Sequence, residues 1–217
     1  MKKLLTPLAL AVALGGASVA QALEGDAKAG QQAATLCTSC HQSDGSGMNI
    51  AAGQSWPRLA GLDADYLYKQ LLDFKSGSRQ SPLMMPFVNS LSDQQMRDVS
   101  VYYSQLPPTP GQGGEKASAE DLAHGEKLAT VGDWERYIVP CQSCHGPDNQ
   151  GAGQHFPAIA GQHAGYIADQ LHAWKNGTRN NDPLNLMAAI AERMDEKDIR
   201  AVSQWLSRQP AKGGATQ

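Results

Sequence analysis

The sequence is poor in the features that mark several large classes of protein. Its 217 residues include four cysteines and carry a formal net charge of −3, and the basic residues are scattered. This charge argues against nucleic acid as a partner, because phosphate backbones are bound by dense clusters of Lys and Arg. After the first 22 residues no apolar run reaches the roughly 18 to 20 residues that a membrane span requires. No pair of segments alternates as β-strands do, so the chain is predicted to be all-α.

The first 22 residues have the composition of a secretory signal peptide. Lys2 and Lys3 precede an apolar stretch over residues 4–14, and small residues lead up to Ala22. An uncleaved membrane anchor is a weaker interpretation, because the apolar stretch is short and Pro7 interrupts it. We therefore expect cleavage after Ala22 and export to the periplasm.

All four cysteines lie in two pentapeptides of one form, Cys37-Thr-Ser-Cys40-His41 and Cys141-Gln-Ser-Cys144-His145. Cysteines three positions apart lie on one face of a helical turn, where they can form thioethers with two haem vinyl groups while the next residue presents imidazole to the iron. Zinc binding, a thioredoxin-like redox pair and disulfides are alternatives, but none explains why a histidine follows each pair. The motifs predict two c-type haems, with these cysteines attached covalently and these histidines as axial iron ligands.

The two motifs belong to the two halves of an internal duplication. Trp56–Gly61 matches Phe156–Gly161 at an offset of 100, and the residues around Leu91 match those around Met194 at an offset of 103. Between the halves, a stretch rich in Pro and Gly has the composition of a linker. The predicted organisation is a signal peptide over 1–22, an N-terminal domain over 23–106, a linker over 107–119 and a C-terminal domain over 120–217.

Apolar residues recur with helical spacing in each half. The first such helix carries Tyr66, Leu67, Gln70, Leu71 and Phe74, and the second half repeats it with Tyr166, Ile167, Gln170, Leu171 and Trp174. Another helix follows in each half. Asp26 is a candidate N-cap for the helix that leads to the first cysteine pair, and Ser92 for the last helix of the first half.

The duplication limits which residue of each half can be the second axial ligand of the haem iron, opposite the histidine. In the second half only Met187 and Met194 follow the motif, and Met194 aligns with Leu91 at the start of a helix, so it is interpreted as a core residue. Met187 lies seven positions before Met194, as Met84 lies seven before Leu91. We therefore predict Met84 and Met187 as sulfur ligands to iron. The adjacent Met85 stays open as a substitute for Met84, and gap-filling in the core is the alternative role for both methionines.

Several further residues are considered as a rival iron ligand or as neighbours of the ligands. Met48 is a poor rival ligand, because it follows the first motif closely and has no counterpart in the second half. Pro57 and Pro157 precede matched turns, and their carbonyls are candidate acceptors for the second ring N–H of each iron-binding histidine. Four histidines have no aligned partners in the first half and are interpreted as surface residues or as neighbours of the ligands: His124, His155, His163 and His172. Ligation of an iron by one of them in place of methionine stays an alternative, but it would break the symmetry of the two halves.

In these features the sequence resembles the dihaem cytochromes c4, which consist of two class I cytochrome c domains. The resemblance spans essentially the whole chain after the signal peptide. It implies that each half is a small helical fold wrapped around a covalent haem, with the two haems facing one another across the domain interface. It also implies close helix crossings of Gly30 on Tyr102 and of Gly125 on Trp205.

The resemblance implies a non-enzymatic function in the periplasm. Members of this family carry single electrons between respiratory complexes, commonly from the quinol-oxidising complex to a haem-copper terminal oxidase, and peripheral membrane association is left open. One alternative is the electron-accepting cytochrome subunit of a periplasmic dehydrogenase, such as a sulfide-oxidising flavoprotein. A dihaem peroxidase is a further alternative, but it requires one iron without a tight sixth ligand, and the matched methionines argue against that.

Overall fold

A computed structural model describes residues 23–213, so the predicted signal peptide over 1–22 and residues 214–217 lie outside the described residues. The described residues form the following ten helices: α1 (Ala27–Ala33), α2 (Thr38–His41), α3 (Ala64–Ser76), α4 (Met85–Asn89), α5 (Asp93–Gln105), α6 (Ala119–Thr130), α7 (Gln142–His145), α8 (Ala164–Lys175), α9 (Leu186–Arg193) and α10 (Glu196–Ser207). Within 23–213 the only β pairings are isolated bridges such as Met48 with Trp56. The all-α prediction is confirmed. None of the helices in this range is long and apolar enough to cross a bilayer.

Local capping explains where several helices begin. The carboxylate of Asp26 accepts hydrogen bonds from the backbone N–H groups of Lys28 and Ala29 at the start of α1. Ser92 and Gln95 form a reciprocal capping box at the start of α5. Both predicted N-caps are confirmed. Such caps satisfy backbone donors that the first helical turn leaves without partners.

Each half has its own apolar core. The second half packs around a cluster formed by Leu128, Ala129, Ile138, Ile167, Leu171, Ala191, Met194, Ile199, Val202 and Leu206. The first half packs around Ala34, Leu62, Tyr66, Leu67, Val99 and Tyr103, joined by Ala158 from the second half. Met194 is 3% exposed, which confirms its interpretation as a core residue.

Two glycines permit close helix crossings, one in each half. A Cβ atom on Gly30 of α1 would lie 2.1 Å from the Asp98 carbonyl oxygen and 2.8 Å from Tyr102 Cβ on α5. In the second half, a Cβ atom on Gly125 of α6 would lie 2.2 Å from the carbonyl oxygen of Ala201 on α10. It would also lie 2.7 Å from Trp205 Cβ. Both predicted crossings are confirmed, and only glycine fits at either.

The second half contains an insertion just before its cysteine pair. Cys37 follows Gly30 by seven positions, whereas Cys141 follows Gly125 by 16. The additional residues form a loop closed by the bridge between Asp133 and Ile138 and include a 3₁₀ turn over Trp134–Arg136. The two halves therefore differ in the length of the segment that leads to the cysteine pair.

The linker is packed against both halves, although its composition suggested a loose connection. The backbone N–H of Gln112 donates to His163 Nδ1 at 3.1 Å, and its side-chain Oε1 accepts from the backbone N–H of Asn49 at 3.2 Å. A Cβ atom on Gly111 would lie 2.4 Å from the carbonyl oxygen of Ser207. Glycine is thus needed at position 111 because the linker backbone lies close to the backbone of α10, and not because it makes the linker mobile. The domain boundaries themselves stay a prediction, and α6 begins at Ala119.

The side chain of Asp198 links α10 to the insertion through hydrogen bonds. Its side chain is 1% exposed and accepts hydrogen bonds from His124 at 2.7 Å, from Arg136 at 2.6 and 3.1 Å and from the Asp195 N–H at 2.9 Å. Burial alone raises the pKa of this carboxyl, but the bonds from Arg136, Asp195 and His124 outweigh burial and lower the pKa to about 2. The ionised carboxylate is therefore the form that the fold stabilises.

We expect Asp198→Asn to lower the free energy of unfolding at pH 7 by about 1 to 2 kcal/mol, after allowance for solvent screening at the partly exposed partners. Because the folded pKa lies below the ordinary value of 3.8, the contribution is complete above that pH and is lost as pH falls toward 2. Denaturant unfolding at pH 7 and pH 2.5 measures the difference. Asp148→Asn, at an exposed pair with Lys212, is the control with little expected effect. An equal loss of unfolding free energy at both pH values would contradict a stabilising role for the charge of Asp198.

Candidate haem sites

The first cysteine pair spans one turn of helix. Cys37 is the N-cap of α2, and its carbonyl accepts from the backbone N–H of Cys40 at 3.2 Å and of His41 at 2.9 Å. Cys37 also packs against the apolar core of the first half. None of the four cysteines is in a disulfide, so all four side chains are available for covalent attachment. The turn brings the two thiols to one side of α2 and places the imidazole directly after them, as thioether attachment to a haem requires.

His41 is held by the turn that contains Pro57. The imidazole is 5% exposed, and its Nδ1 lies 3.0 Å from the Pro57 carbonyl oxygen. A carbonyl can only accept, so Nδ1 carries the hydrogen and Nε2 keeps its lone pair. That tautomer is the one that presents Nε2 to a metal.

The second half repeats this arrangement, with a shorter distance between the histidine Nδ1 and the proline carbonyl oxygen. Nδ1 of His145 lies 2.7 Å from the Pro157 carbonyl oxygen, and the ring is 7% exposed. Phe156 packs edge-on against the imidazole, with the ring centroids 6.3 Å apart. The structure thus brings each predicted histidine to its predicted proline carbonyl. The role of these groups toward iron stays a prediction.

Burial sets the protonation state of both histidines. It lowers the pKa of His41 and of His145, and the hydrogen bond to each proline carbonyl opposes this shift without reversing it. Both rings are therefore neutral at pH 7. A neutral imidazole is the form that binds iron.

The predicted methionine ligands occupy matching places just before or at the start of a helix. Met84 is the N-cap residue of α4, with its N–H donating to Ser81 Oγ at 3.2 Å, and it packs against the cluster of Phe74, Val88 and Met96.

Met187 lies in the first turn of α9 and packs against the core of the second half. The Asp182 carboxylate accepts from the N–H of Met187 at 2.7 Å and of Ala188 at 3.3 Å, which holds the helical turn that carries the sulfur. The rival Met48 is 40% exposed in a bridge with Trp56. Met84 and Met187 therefore stay the predicted sulfur ligands.

The donor set in each half fits a c-type haem. Each half offers two thiols one helical turn apart, a buried neutral imidazole with Nε2 available, and a partly buried thioether. In the second half the indole Nε1 of Trp174 is buried and has no hydrogen-bond partner among the described residues. A buried N–H of this kind matches the acceptor oxygens that a haem carries in its propionates. The two cysteine pairs pack on separate cores, so they are suited to two haems and not to one shared metal.

One histidine has a different role from the one predicted. His163 is 0% exposed and lies between the halves: its Nε2 donates to the Ser46 carbonyl at 2.8 Å, and its Nδ1 accepts from the Gln112 N–H. It is thus not a surface residue but a contact between the two halves. His172 and His155 are partly or fully exposed, and His124 pairs with Asp198.

Sequence reasoning missed a buried arginine between the halves. Arg58 is 1% exposed, and its guanidinium donates to the carbonyls of Ala60, Ala160 at 3.1 Å and Gly161 at 3.0 Å. Burial lowers its pKa to about 10, so it stays charged at pH 7. It joins the two matched turns that carry the proline carbonyls. The only signal in the sequence was the mismatch in the repeat, where the second half has Ala158.

Comparison with known proteins gives matches over almost the whole chain. The family model for cytochrome c matches residues 27–107 and 136–209. A thiosulfate dehydrogenase electron acceptor from Stutzerimonas stutzeri (strain A1501) is 43% identical over 212 residues, which cover 95% of this chain and 96% of that protein. A protein of the same description from Thiomonas intermedia (strain K12) is 44% identical over 93% of this chain and 90% of its own. Cytochrome c4 from Pseudomonas aeruginosa is 36% identical over 95% of this chain and 98% of its own.

Two solved structures share the fold. Reduced recombinant cytochrome c4 from Pseudomonas stutzeri matches with a TM-score of 0.77 and 33% identity, covering 86% of this chain and 100% of that chain. A thiosulfate dehydrogenase from Marichromatium purpuratum matches with the same TM-score of 0.77 and 36% identity, covering 85% of this chain and 40% of that chain.

Proposed function

Since the chain belongs to the dihaem cytochrome c4 family and carries two c-type haems, we propose that it accepts electrons from a periplasmic thiosulfate dehydrogenase and delivers them singly to a haem-copper terminal oxidase. Its relatives are electron-carrier cytochromes, and the donor and acceptor are the new elements of the proposal. The observation that carries the choice of donor is the 43–44% identity, over nearly the full length, to two proteins described as thiosulfate dehydrogenase electron acceptors. This donor replaces the sulfide-oxidising flavoprotein as the proposed member of the periplasmic dehydrogenase class.

The residues of each site are suited to hold an electron carrier. A bound haem supplies a one-electron Fe(III)/Fe(II) couple. The cysteine thioethers fix its position, and the hydrogen bonds from His41 to Pro57 and from His145 to Pro157 fix the planes of the two imidazoles. Met84 and Met187 would supply the methionine sulfur, which would favour the ferrous form and leave no open position at the iron for a substrate.

A direct electron-transfer assay tests the donor. The oxidised protein is mixed with a purified thiosulfate dehydrogenase, and the reduction of both haems is followed by absorption after thiosulfate is added. We expect full reduction that requires both the dehydrogenase and thiosulfate. Omitting the dehydrogenase is the control, and equally fast haem reduction by thiosulfate in its absence would contradict the proposed donor.

A quinol-oxidising complex is the second candidate donor, favoured by the 36% identity to a cytochrome c4 over nearly the whole of both chains. The same assay with this complex and a quinol compares the two donors under identical conditions. Reduction by the quinol-oxidising complex together with no reduction by the thiosulfate dehydrogenase contradicts the proposed donor. Oxidation of the reduced protein by a haem-copper oxidase tests the acceptor separately.

A further inference from the structure

The side chain of His163 lies where the two halves of the molecule meet the linker. His163 is the N-cap residue of α8, and it is 0% exposed. Its Nε2 donates to the Ser46 carbonyl of the first half at 2.8 Å, and its Nδ1 accepts from the N–H of Gln112 in the linker at 3.1 Å. One imidazole thus joins the start of α8 to two segments that are distant from it in sequence.

Gln112 is the linker residue at the centre of this contact. Its carbonyl accepts from the N–H of Ala164 at 2.8 Å, and its side-chain Oε1 accepts from the N–H of Asn49 at 3.2 Å. The Oδ1 of Asn49 in turn accepts from the N–H of Gly165 at 2.8 Å. We call His163, Gln112, Ala164, Asn49 and Gly165 the linker junction. Its hydrogen bonds connect the first half, the linker and α8.

The linker junction requires a neutral imidazole. A backbone N–H can only donate, so the Nδ1 that accepts from Gln112 must keep its lone pair, and a carbonyl can only accept, so Nε2 must carry the hydrogen. A proton added to Nδ1 would set two donors against one another and replace an attraction by a repulsion. Because Gln112 is itself an exposed residue, its N–H can turn to water once the bond to His163 is lost.

The surroundings of His163 also disfavour its protonated form. Burial lowers the pKa of this histidine below the ordinary value of 6.5, and the nearby positive charge of Arg58 acts in the same direction. The hydrogen bond to the Ser46 carbonyl and the charge of Glu115 oppose the shift without reversing it. The closed junction and the neutral ring therefore stabilise one another.

Two carboxylates lie in the segments that adjoin His163. Asp44 accepts from the Ser46 N–H at 3.0 Å, and bonds from Ser46 lower its pKa below 3.8, so it stays ionised at pH 5. Asp169 of α8 accepts from the Ser55 N–H at 3.1 Å, and burial raises its pKa. Protonation of Asp169 relieves a buried charge, so it would strengthen the contact as the pH falls. Neither carboxylate can weaken the linker junction between pH 7 and 5.

We propose that His163 is a pH-sensitive switch: its protonation in acid releases Gln112 from the start of α8 and loosens the contact between the two halves. In the open form the histidine regains its ordinary pKa near 6.5, above the pKa of the closed form. The closed form is therefore fully favoured above that pH and is weakened as the pH falls below it. The proposal does not depend on the identity of the electron donor or acceptor.

Amide hydrogen exchange on the purified dihaem protein tests the switch. Exchange at the N–H groups of Gln112, Ala164 and Gly165 is measured from pH 7.5 to 5.0 and divided by the intrinsic rate at each pH. Opening should become up to about 30-fold more favourable, because each pH unit below 6.5 favours the protonated open form by up to roughly tenfold. Amides beside Gly125 in α6 should keep their protection. An equal loss of protection in both regions, or no loss at the linker junction, would overturn the proposal.

His163→Asn removes the titration but keeps an acceptor near the position of Nδ1. The protection of Gln112 in this variant should be the same at pH 7.5 and at pH 5.0. His172→Asn is the matched control, because it removes a histidine from the same helix at an exposed pair with Glu196, and it should keep the pH dependence of the wild type. A pH dependence in His163→Asn equal to that of the wild type would contradict the switch.

A measurement on the wild type keeps the test decisive if His163→Asn does not fold. Nitrogen-15 NMR of the histidine rings reports which nitrogen of His163 carries a hydrogen. We expect the neutral form with hydrogen on Nε2 at pH 7.5, and the doubly protonated ring only together with loss of protection at Gln112. A doubly protonated ring beside a fully protected Gln112 N–H would rule out the proposed release.

Discussion

Replacing Met187 with alanine is expected to convert the second-domain haem to a high-spin or water-ligated form and to leave the first-domain haem unchanged. Methionine sulfur stabilises Fe(II), and axial ligand identity sets haem potentials over a range of about 0.8 V, so the second potential should fall by roughly a few tenths of a volt. Absorption spectra of the oxidised and reduced protein measure the loss of the weak sulfur-to-iron band near the red edge. Carbon monoxide should then bind the reduced variant at one haem.

Met84 and Met85 provide the matched comparison in the first domain. Met84→Ala should reproduce the same changes at the first haem, whereas Met85→Ala should leave both spectra as in the wild type. Met84 packs against Phe74, Val88 and Met96, and Met85 begins α4 one residue later. An unchanged spectrum in Met187→Ala removes Met187 as a ligand, and a changed spectrum in Met85→Ala moves the first-domain assignment to Met85.

Most features that were predictable from the residues themselves are encoded within one or two helical turns, whereas the crossings at Gly30 and Gly125 were expected only from the resemblance to a known family. Asp26 and Ser92 were recognisable as N-caps because the cap and the donors it satisfies are two or three residues apart. The core face of α3 was visible from the spacing of its apolar residues, and Tyr66, Leu67 and Phe74 are buried as that spacing requires. The cysteine and histidine motifs were visible for the same reason, since their chemistry is confined to one turn.

The contacts between the halves could not be predicted, because they depend on how two folded units dock. Arg79 and Arg179 were recognisable as repeated residues, but nothing in their spacing indicates that they share the glutamines of both halves. His163 looked like a surface histidine because it lacks a counterpart in the first half. It is buried because it pairs with the Ser46 carbonyl and the linker, two segments distant from it in sequence. The absence of a repeat partner therefore marked an interface residue and not an unimportant one.

Replacing Gly125 with alanine is expected to destabilise the second domain by about 3 kcal/mol or more, at the upper end of overpacking effects. The new Cβ would lie 2.2 Å from a backbone carbonyl oxygen on α10, and backbone cannot move aside as a flexible side chain can, so α6 and α10 must separate along their whole contact. Denaturant unfolding monitored by far-ultraviolet circular dichroism measures the loss.

Gly213→Ala is the matched control, because its Cβ would meet its nearest neighbour, Pro108, at an ordinary 3.5 Å. Gly30→Ala should affect the first domain as Gly125→Ala affects the second, since the corresponding approach to the Asp98 carbonyl oxygen is 2.1 Å. Near-wild-type stability in both glycine variants contradicts the tight crossings. Because α10 follows directly on α9, which carries Met187, separation of α6 from α10 should also weaken the second sulfur–iron bond before the domain unfolds. Loss of the red-edge band at a lower denaturant concentration than loss of helix would show that the crossing holds the axial ligand in place.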